Sequence, residues 1–138
     1  LYCCDDLVVV ADDSEGLLST MAMPGQSTRA SLMRVPVFTP NAFVATNLGR
    51  ASWLGLMAAP SLQLNCNQEG FSLASQVSVR IGIIGNQEND CGSPDSWIGI
   101  GGTGAPCNGA LNTSTTGNIA TCAAVDKATA AFGYVFVR

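Results

Sequence analysis

Three carboxylates, three side-chain amides and a cysteine fall within residues 85–96, in the stretch GNQENDCGSPDS. Oxygen donors at this density suit a hard divalent cation, since calcium takes roughly six to eight oxygen ligands. Asn86, Glu88, Asn89, Asp90 and Asp95 are the candidate ligands, although their spacing is not that of an EF-hand loop. The same residues also describe a turn whose Asn and Asp side chains bond their own backbone while Cys91 pins it through a disulfide. The turn is the preferred reading, and calcium is the alternative.

The chain holds no histidine. Serine and cysteine triads, imidazole bases and histidine metal sites therefore all fall away together. A two-carboxylate glycosidase needs only Asp and Glu, and the available groups are Asp5, Asp6, Asp12, Asp13, Glu15, Glu69, Glu88, Asp90, Asp95 and Asp126. Most of these lie at expected strand ends or turns, so the expectation is a protein that is not an enzyme. The run GIGGTG at 99–104 matches a dinucleotide-binding fingerprint in form, but Pro106 and Cys107 stand where the phosphate-binding helix should begin. Close backbone packing or a bulge is the better reason for these glycines.

Six cysteines, Cys3, Cys4, Cys66, Cys91, Cys107 and Cys122, occur with no C-x-x-C pair. That pattern reads as disulfides formed in an oxidising, extracellular setting, with the pairing left open. Cys3 and Cys4 are adjacent, so they are expected to reach different partners, an inter-subunit bridge among them. A chain that opens on Leu1 without a leader-like stretch is expected of a processed secreted protein. No apolar stretch approaches the roughly 20 residues that span a bilayer, so no membrane span is expected. With a formal net charge of −4 and one lysine, Lys127, a nucleic-acid partner is not expected either.

Charged residues make up 12% of the chain and apolar residues 47%, against about 25% charged in ordinary soluble domains. So sparse a charge suggests burial against neighbouring subunits or a coat of glycan. Asn112-Thr113-Ser114 forms an N-glycosylation sequon, making Asn112 the expected glycan site. Trp53 and Trp97 could line a sugar site, but core packing is the expected role of each.

The elements that would carry these residues are mostly strands. LVVVA at 7–11 is a β-branched run between acidic pairs, and SLMRVPVF at 31–38 alternates around Pro36 as an edge strand would. Thr39 as N-cap and Pro40 at the first helical position predict a short helix over 39–48, ending near Gly49. SQVSVRIGII at 75–84 places Val77, Val79, Ile81 and Ile83 on one face. SWIGIG at 96–101 and AFGYVFVR at 131–138 read as further strands, and 108–118 reads as a polar loop. The Ala-rich stretch 120–131 is left as helix or packed loop. The expectation is a mainly β, disulfide-stapled, sandwich-like single domain over 1–138 with one or two short helices.

Three stretches, LQLNCNQEGF at 62–71, VRIGIIGNQENDCGSPDSWIGIGG at 79–102 and AAFGYVFVR at 130–138, resemble a module of extracellular fibrinogen-like and skeletal-matrix proteins. In that module an Asn-Cys-Asn stretch precedes an R-I-G-I strand, and an N-D-C turn, an S-P-D-S-x-I-G segment and a G-Y-x-x-V strand follow. The resemblance spans 62–138, while the fibrinogen-type N-terminal pattern is absent from the first 60 residues. It implies an extracellular, disulfide-bonded, non-catalytic domain. Some relatives of this type are calcium-dependent lectins, but the histidine and aromatic cage of that branch has no counterpart here.

The functional expectation is a secreted structural or adhesive protein, the repeating subunit of a filament or matrix, whose partners are copies of itself. Assembly is expected by strand addition, in which a terminal strand completes a neighbour's sheet edge. The segment 1–15, with Leu7, Val8, Val9 and Val10, or YVFV near the C-terminus would supply that strand. The alternative is a calcium-dependent carbohydrate-binding module with glycan partners, built on the 86–96 loop.

Overall fold

A computed structural model describes residues 6–13, 18–24, 44–104, 115–122 and 127–137. In chain order its strands are β1 (Asp6–Asp13), β2 (Leu18–Pro24), β3 (Val44–Ala45), β4 (Asn65–Ala74), β5 (Val77–Asn86), β6 (Ser96–Gly104), β7 (Thr115–Ala120) and β8 (Lys127–Val137). One short helix, α1 (Arg50–Leu54), lies between β3 and β4. Every paired neighbour is antiparallel, and the strands follow one continuous order, β2-β1-β8-β7-β6-β5-β4-β3. The mainly β, disulfide-bonded expectation therefore holds. No helix among the described residues is long and apolar enough to cross a membrane.

A row of small residues crosses this sheet. Ala45 stands opposite Gly70, Gly70 opposite Gly82, Gly82 opposite Gly99, Gly99 opposite Gly117, and Gly117 opposite Ala130. At its centre the backbones leave no room for side chains: a Cβ on Gly82 would lie 2.3 Å from the Ile98 carbonyl oxygen, and one on Gly99 would lie 2.2 Å from that of Ile81. The GIGGTG glycines thus serve close backbone packing, as their sequence context suggests.

The sheet folds along this row. The Trp97 ring lies against Gly102, whose Cβ would come within 2.4 Å of it. In a straight strand five residues would separate the two positions by roughly 16 Å, beyond an indole's reach. Gly101 at φ +66° and the register shift between Gly99 and Gly102 supply the bend. On β4, Ser72 takes a left-handed φ of +55°, which sends Phe71 and Leu73 into different cores.

Those cores lie on the two faces of the sheet. One holds Trp53, Leu56, Met57, Leu62, Phe71, Ile81, Ile83 and Ile98 beneath α1. The other holds Leu73, Val77, Val79, Ile84, Trp97 and Ile119 inside the bend. Here the structure corrects the single-face reading of β5, because Val77 and Val79 belong to one core while Ile81 and Ile83 belong to the other. The Val79 Cγ1 methyl occupies the space over Gly82 and Gly99 that side chains would otherwise fill.

Three other expectations are corrected. The helix expected over 39–48 is absent from 44–49, where Val44–Ala45 is β3; α1 starts after Gly49 instead. The reason is tertiary, since the Gly49 N–H donates to Glu69 Oε1 at 2.7 Å and fixes the turn there. Residues 115–118, expected in a polar loop, form most of β7 because β6 and β8 flank them. In the Ala-rich stretch, Ala120 ends β7 and Lys127–Ala131 opens β8, so these residues are neither helix nor loop. The strand expected at 31–38 lies outside the described residues.

Candidate functional site

The loop between β5 and β6 is built from its own side chains. Asn86, fully buried at the end of β5, donates from Nδ2 to the Asp90 carbonyl at 2.8 Å and accepts the Gln87 N–H at Oδ1 at 2.8 Å. The Asp90 carboxylate accepts the Gly92 N–H at 2.9 Å and the Ser93 hydroxyl at 2.7 Å. The Gly92 N–H, followed by the Ser93 hydroxyl, holds the Asp90 carboxyl below the ordinary aspartate range. Glu88 accepts from Gln87 Nε2 at 3.0 Å.

Asp95 closes the loop with its backbone. Its N–H donates to the Gly85 carbonyl at 3.1 Å and its carbonyl accepts the Thr121 N–H at 3.0 Å. Its carboxyl is raised above the ordinary range, first by burial and then by the Glu88 charge, against a lowering hydrogen bond from Gln63. Of the five candidate calcium ligands, then, Asn86 is buried and committed to the turn, Glu88, Asn89 and Asp90 are exposed, and Asp95 is half-buried. Among the described residues, no group of three or more His, Cys, Asp or Glu side chains converges as a metal site.

Cys91 is joined to Cys66, with Cα atoms 5.1 Å apart. The approach depends on a bulge in β4: Cys66 and Asn67 take φ of +65° and +54°, and the β4–β5 register shifts between Asn65 and Gln68. Beside it, Asn65 Nδ2 donates to the Gln87 carbonyl at 2.5 Å. Cys122 is disulfide-bonded as well, whereas Cys3, Cys4, Cys107 and the sequon residue Asn112 lie outside the described residues.

Two charged groups hold α1 and the chain after it against the sheet. Glu69 on β4 accepts from the Gly49 N–H, the Thr46 hydroxyl and the Trp53 indole N–H. Arg50 donates to the carbonyls of Leu62 and Gln63 and to Asn67 Oδ1. Further on, the fully buried Asn118 amide pairs with the backbone of Ser61 in both directions, at 2.6 Å and 2.7 Å. Trp53 and Trp97 are both fully buried, so the core role expected of them is the observed one. Sequence patterning missed Glu69 as an anchor, because it forms no local capping pattern with residues 46–53.

A small apolar cavity of about 20 Å³ lies between α1 and the glycine row, bordered by Trp53, Met57, Ile98, Gly99, Gly117 and Ala131 among others. It has room for about one water molecule, and its walls offer no chemistry.

The other distinctive surface lies at the far end of the sheet. β8 changes partner halfway along its length, pairing with β7 over Lys127–Ala130 and with β1 over Ala131–Val137. The two apolar stretches expected as alternative assembly strands are in fact each other's partners: Leu7 stands opposite Val137, Val8 opposite Phe136, Val9 opposite Val135 and Val10 opposite Tyr134. β1 is completed on its other side by β2, with Val9 opposite Met21. On this wing Phe132 is 73% exposed and Tyr134 52%. No family model matches the chain, and neither a curated protein nor a solved structure shows significant similarity to it.

Proposed function

We propose that the chain is a non-catalytic secreted structural or adhesive protein, the repeating subunit of an extracellular filament or matrix whose copies join through β-strand pairing. The observation that carries this reading is the β2-β1-β8 wing, where two terminal apolar strands pair beyond the main sheet and Phe132 and Tyr134 face solvent. Solvent-facing aromatics on a chain with only 12% charged residues favour burial against a neighbour. The Cys66–Cys91 bridge is consistent with an oxidising extracellular setting. The resemblance of 62–138 to fibrinogen-like and skeletal-matrix modules points the same way. A non-catalytic role agrees with the absence of histidine and with Glu69 and Asp90 being engaged by neighbouring backbone and side-chain donors. Sedimentation velocity on untagged protein over a range of concentrations tests the reading. Concentration-dependent growth beyond the monomer is expected, and a monomer at every concentration rules the reading out.

A second reading, calcium-dependent carbohydrate binding at the 86–96 loop, rests on the repulsion of Asp95 by Glu88. The Glu88 charge that, after burial, raises the Asp95 carboxyl is one that a cation held beside the two would offset. A glycan array probed with and without chelator separates the two readings, since only the second requires a chelator-sensitive signal.

A further inference from the structure

We infer that the Cys66–Cys91 bond is a redox-sensitive latch on α1: closed, it holds the β4 bulge that carries the Asn67 amide to Arg50, and its reduction releases that grip. The latch acts alike in a single chain and in an assembly.

A run of contacts leads from the bond to the helix. Cys66 and Asn67 stand side by side in the left-handed region, at φ +65° and +54°. Asparagine visits that region readily, whereas cysteine does so at a cost. Such a residue persists only where its surroundings over-determine it. The β4–β5 ladder skips Cys66, pairing Asn65 with Asn86 and then Gln68 with Ile84. Besides packing at the edge of the inner core, the covalent bond to Cys91 is therefore what holds Cys66 in place.

The bulge in turn aims the Asn67 amide. Its Nδ2 donates to the Leu64 carbonyl at 2.7 Å, and its Oδ1 accepts from Arg50 Nη1 at 2.8 Å. Arg50 opens α1 and also donates to the carbonyls of Leu62 and Gln63. One guanidinium thus ties the start of the helix to the segment that leads into β4.

Opening the bond takes two electrons from a thiol reductant. A dithiol attacks one sulfur, closes to its own disulfide and leaves Cys66 and Cys91 as thiols. Neither cysteine is fully buried, and Cys91 lies between the exposed Asp90 and Gly92, so a small dithiol approaches from the turn. Freed from Cys91, Cys66 relaxes towards extended backbone, and the movement carries the Asn67 amide off Arg50. Glu69 lies beyond the bulge, opposite Ile83 in regular register. It keeps its bonds to the Gly49 N–H and the Trp53 indole. The helix therefore loosens at Arg50 without leaving the sheet.

Amide hydrogen exchange on the full chain, followed residue by residue by NMR, tests the latch. The reporters are Gly55, Leu56 and Met57, whose N–H groups donate to the carbonyls of Ala51, Trp53 and Leu54. In the paired Cys66→Ser and Cys91→Ser variant these amides are expected to exchange about tenfold faster, the factor for one hydrogen bond to a charged group. Tryptophan emission is expected to stay unchanged. Asn67→Gly accepts a positive φ freely but has no side-chain amide. It is expected to give the same acceleration with the disulfide intact, which keeps the test available should the serine pair misfold. Combined with the serine pair it is expected to add nothing, because both remove one contact. Graded dithiol treatment of the unsubstituted protein, with open bonds counted by alkylation and peptide mass mapping, is expected to accelerate the reporters in step with opening at Cys66 and Cys91. Opening at Cys122, which is also disulfide-bonded, is expected to leave them unmoved. Unchanged reporters in the folded serine pair or in Asn67→Gly overturn the latch. Additive effects of the two overturn it as well, as does a red shift of tryptophan emission, which marks loosening of the whole fold.

Discussion

Gly82 and Gly99 face each other directly on β5 and β6, with backbones so close that neither position has room for a methyl group. The contact lies at the middle of the small-residue row along which the sheet folds, so it sets the shape of the inner core as well as its density. Gly82→Ala and Gly99→Ala are each expected to destabilise the protein by about 3 kcal/mol, the upper range for overpacking against an unyielding neighbour. Urea unfolding measures this. An Ala variant with an unchanged midpoint would mean that the two strands are not in this register.

Glu69 gathers three donors from the segment that carries α1. Glu69→Ala leaves the buried Trp53 indole N–H unsatisfied, while the exposed Gly49 N–H turns to water, and is expected to cost about 1–3 kcal/mol. Glu69→Gln keeps an acceptor and is expected to cost less. Chemical denaturation of the two variants gives the ranking, and a red shift of tryptophan emission in Glu69→Ala reports the loosening of Trp53.

The Cys66–Cys91 bond closes a loop with a sequence separation of 25. On the chain-entropy account it stabilises the fold by about 3.5 kcal/mol. The paired Cys66→Ser and Cys91→Ser variant is expected to lose about that much and to show faster amide exchange over 86–95. Equal stability with and without the bond would show that the Asn86 and Asp90 hydrogen bonds hold the loop unaided.

The two aspartates of this loop give opposite pH dependences. Asp95 has a raised carboxyl, so its contribution is fully present below its unfolded-state pKa and is lost as pH rises through the folded one. Asp90 has a lowered carboxyl, so its contribution is present above its unfolded-state pKa and is lost as pH falls through the folded one. Asp95→Asn is therefore expected to raise stability at neutral pH, with a gain that disappears below the carboxylate range. Thermal melts of the two proteins across acidic and neutral pH decide it. A uniform gain at all pH values would assign the effect to packing instead.

Millimolar calcium is expected to leave the melting temperature unchanged. The Asn86 amide and the Asp90 carboxylate are already spent on backbone groups and a hydroxyl of the loop itself, and a cation would have to displace those bonds. A calcium-dependent rise, abolished by chelator, would favour the carbohydrate-binding reading.

Much of the fold is legible in the sequence where side-chain periodicity and local turn chemistry act alone. LVVVA, SWIGIG and the C-terminal strand fall within β1, β6 and β8. Asn86, Asp90 and Gly92 also form the self-bonded turn that their residue types suggest. Legibility ends where a distant contact decides. Nothing in the alternation of Val77, Val79, Ile81 and Ile83 reveals that the sheet folds across Gly82, because the fold depends on Gly70, Gly99 and Gly117 arriving in register from three other strands. Gly49 ends the expected helix in the sequence and begins the real one, because the Glu69 carboxylate twenty residues later binds its N–H. Thr115–Asn118 looks like loop because its strand character comes from the neighbours it lies between. The pairing of the two terminal strands is likewise invisible until β8 is seen to change partners.

The proposed function makes this chain one subunit of a larger assembly. Electron microscopy of the native, untagged material tests it most directly. Regular filaments with a repeat of one subunit are the predicted result, and uniformly dispersed single particles would contradict it.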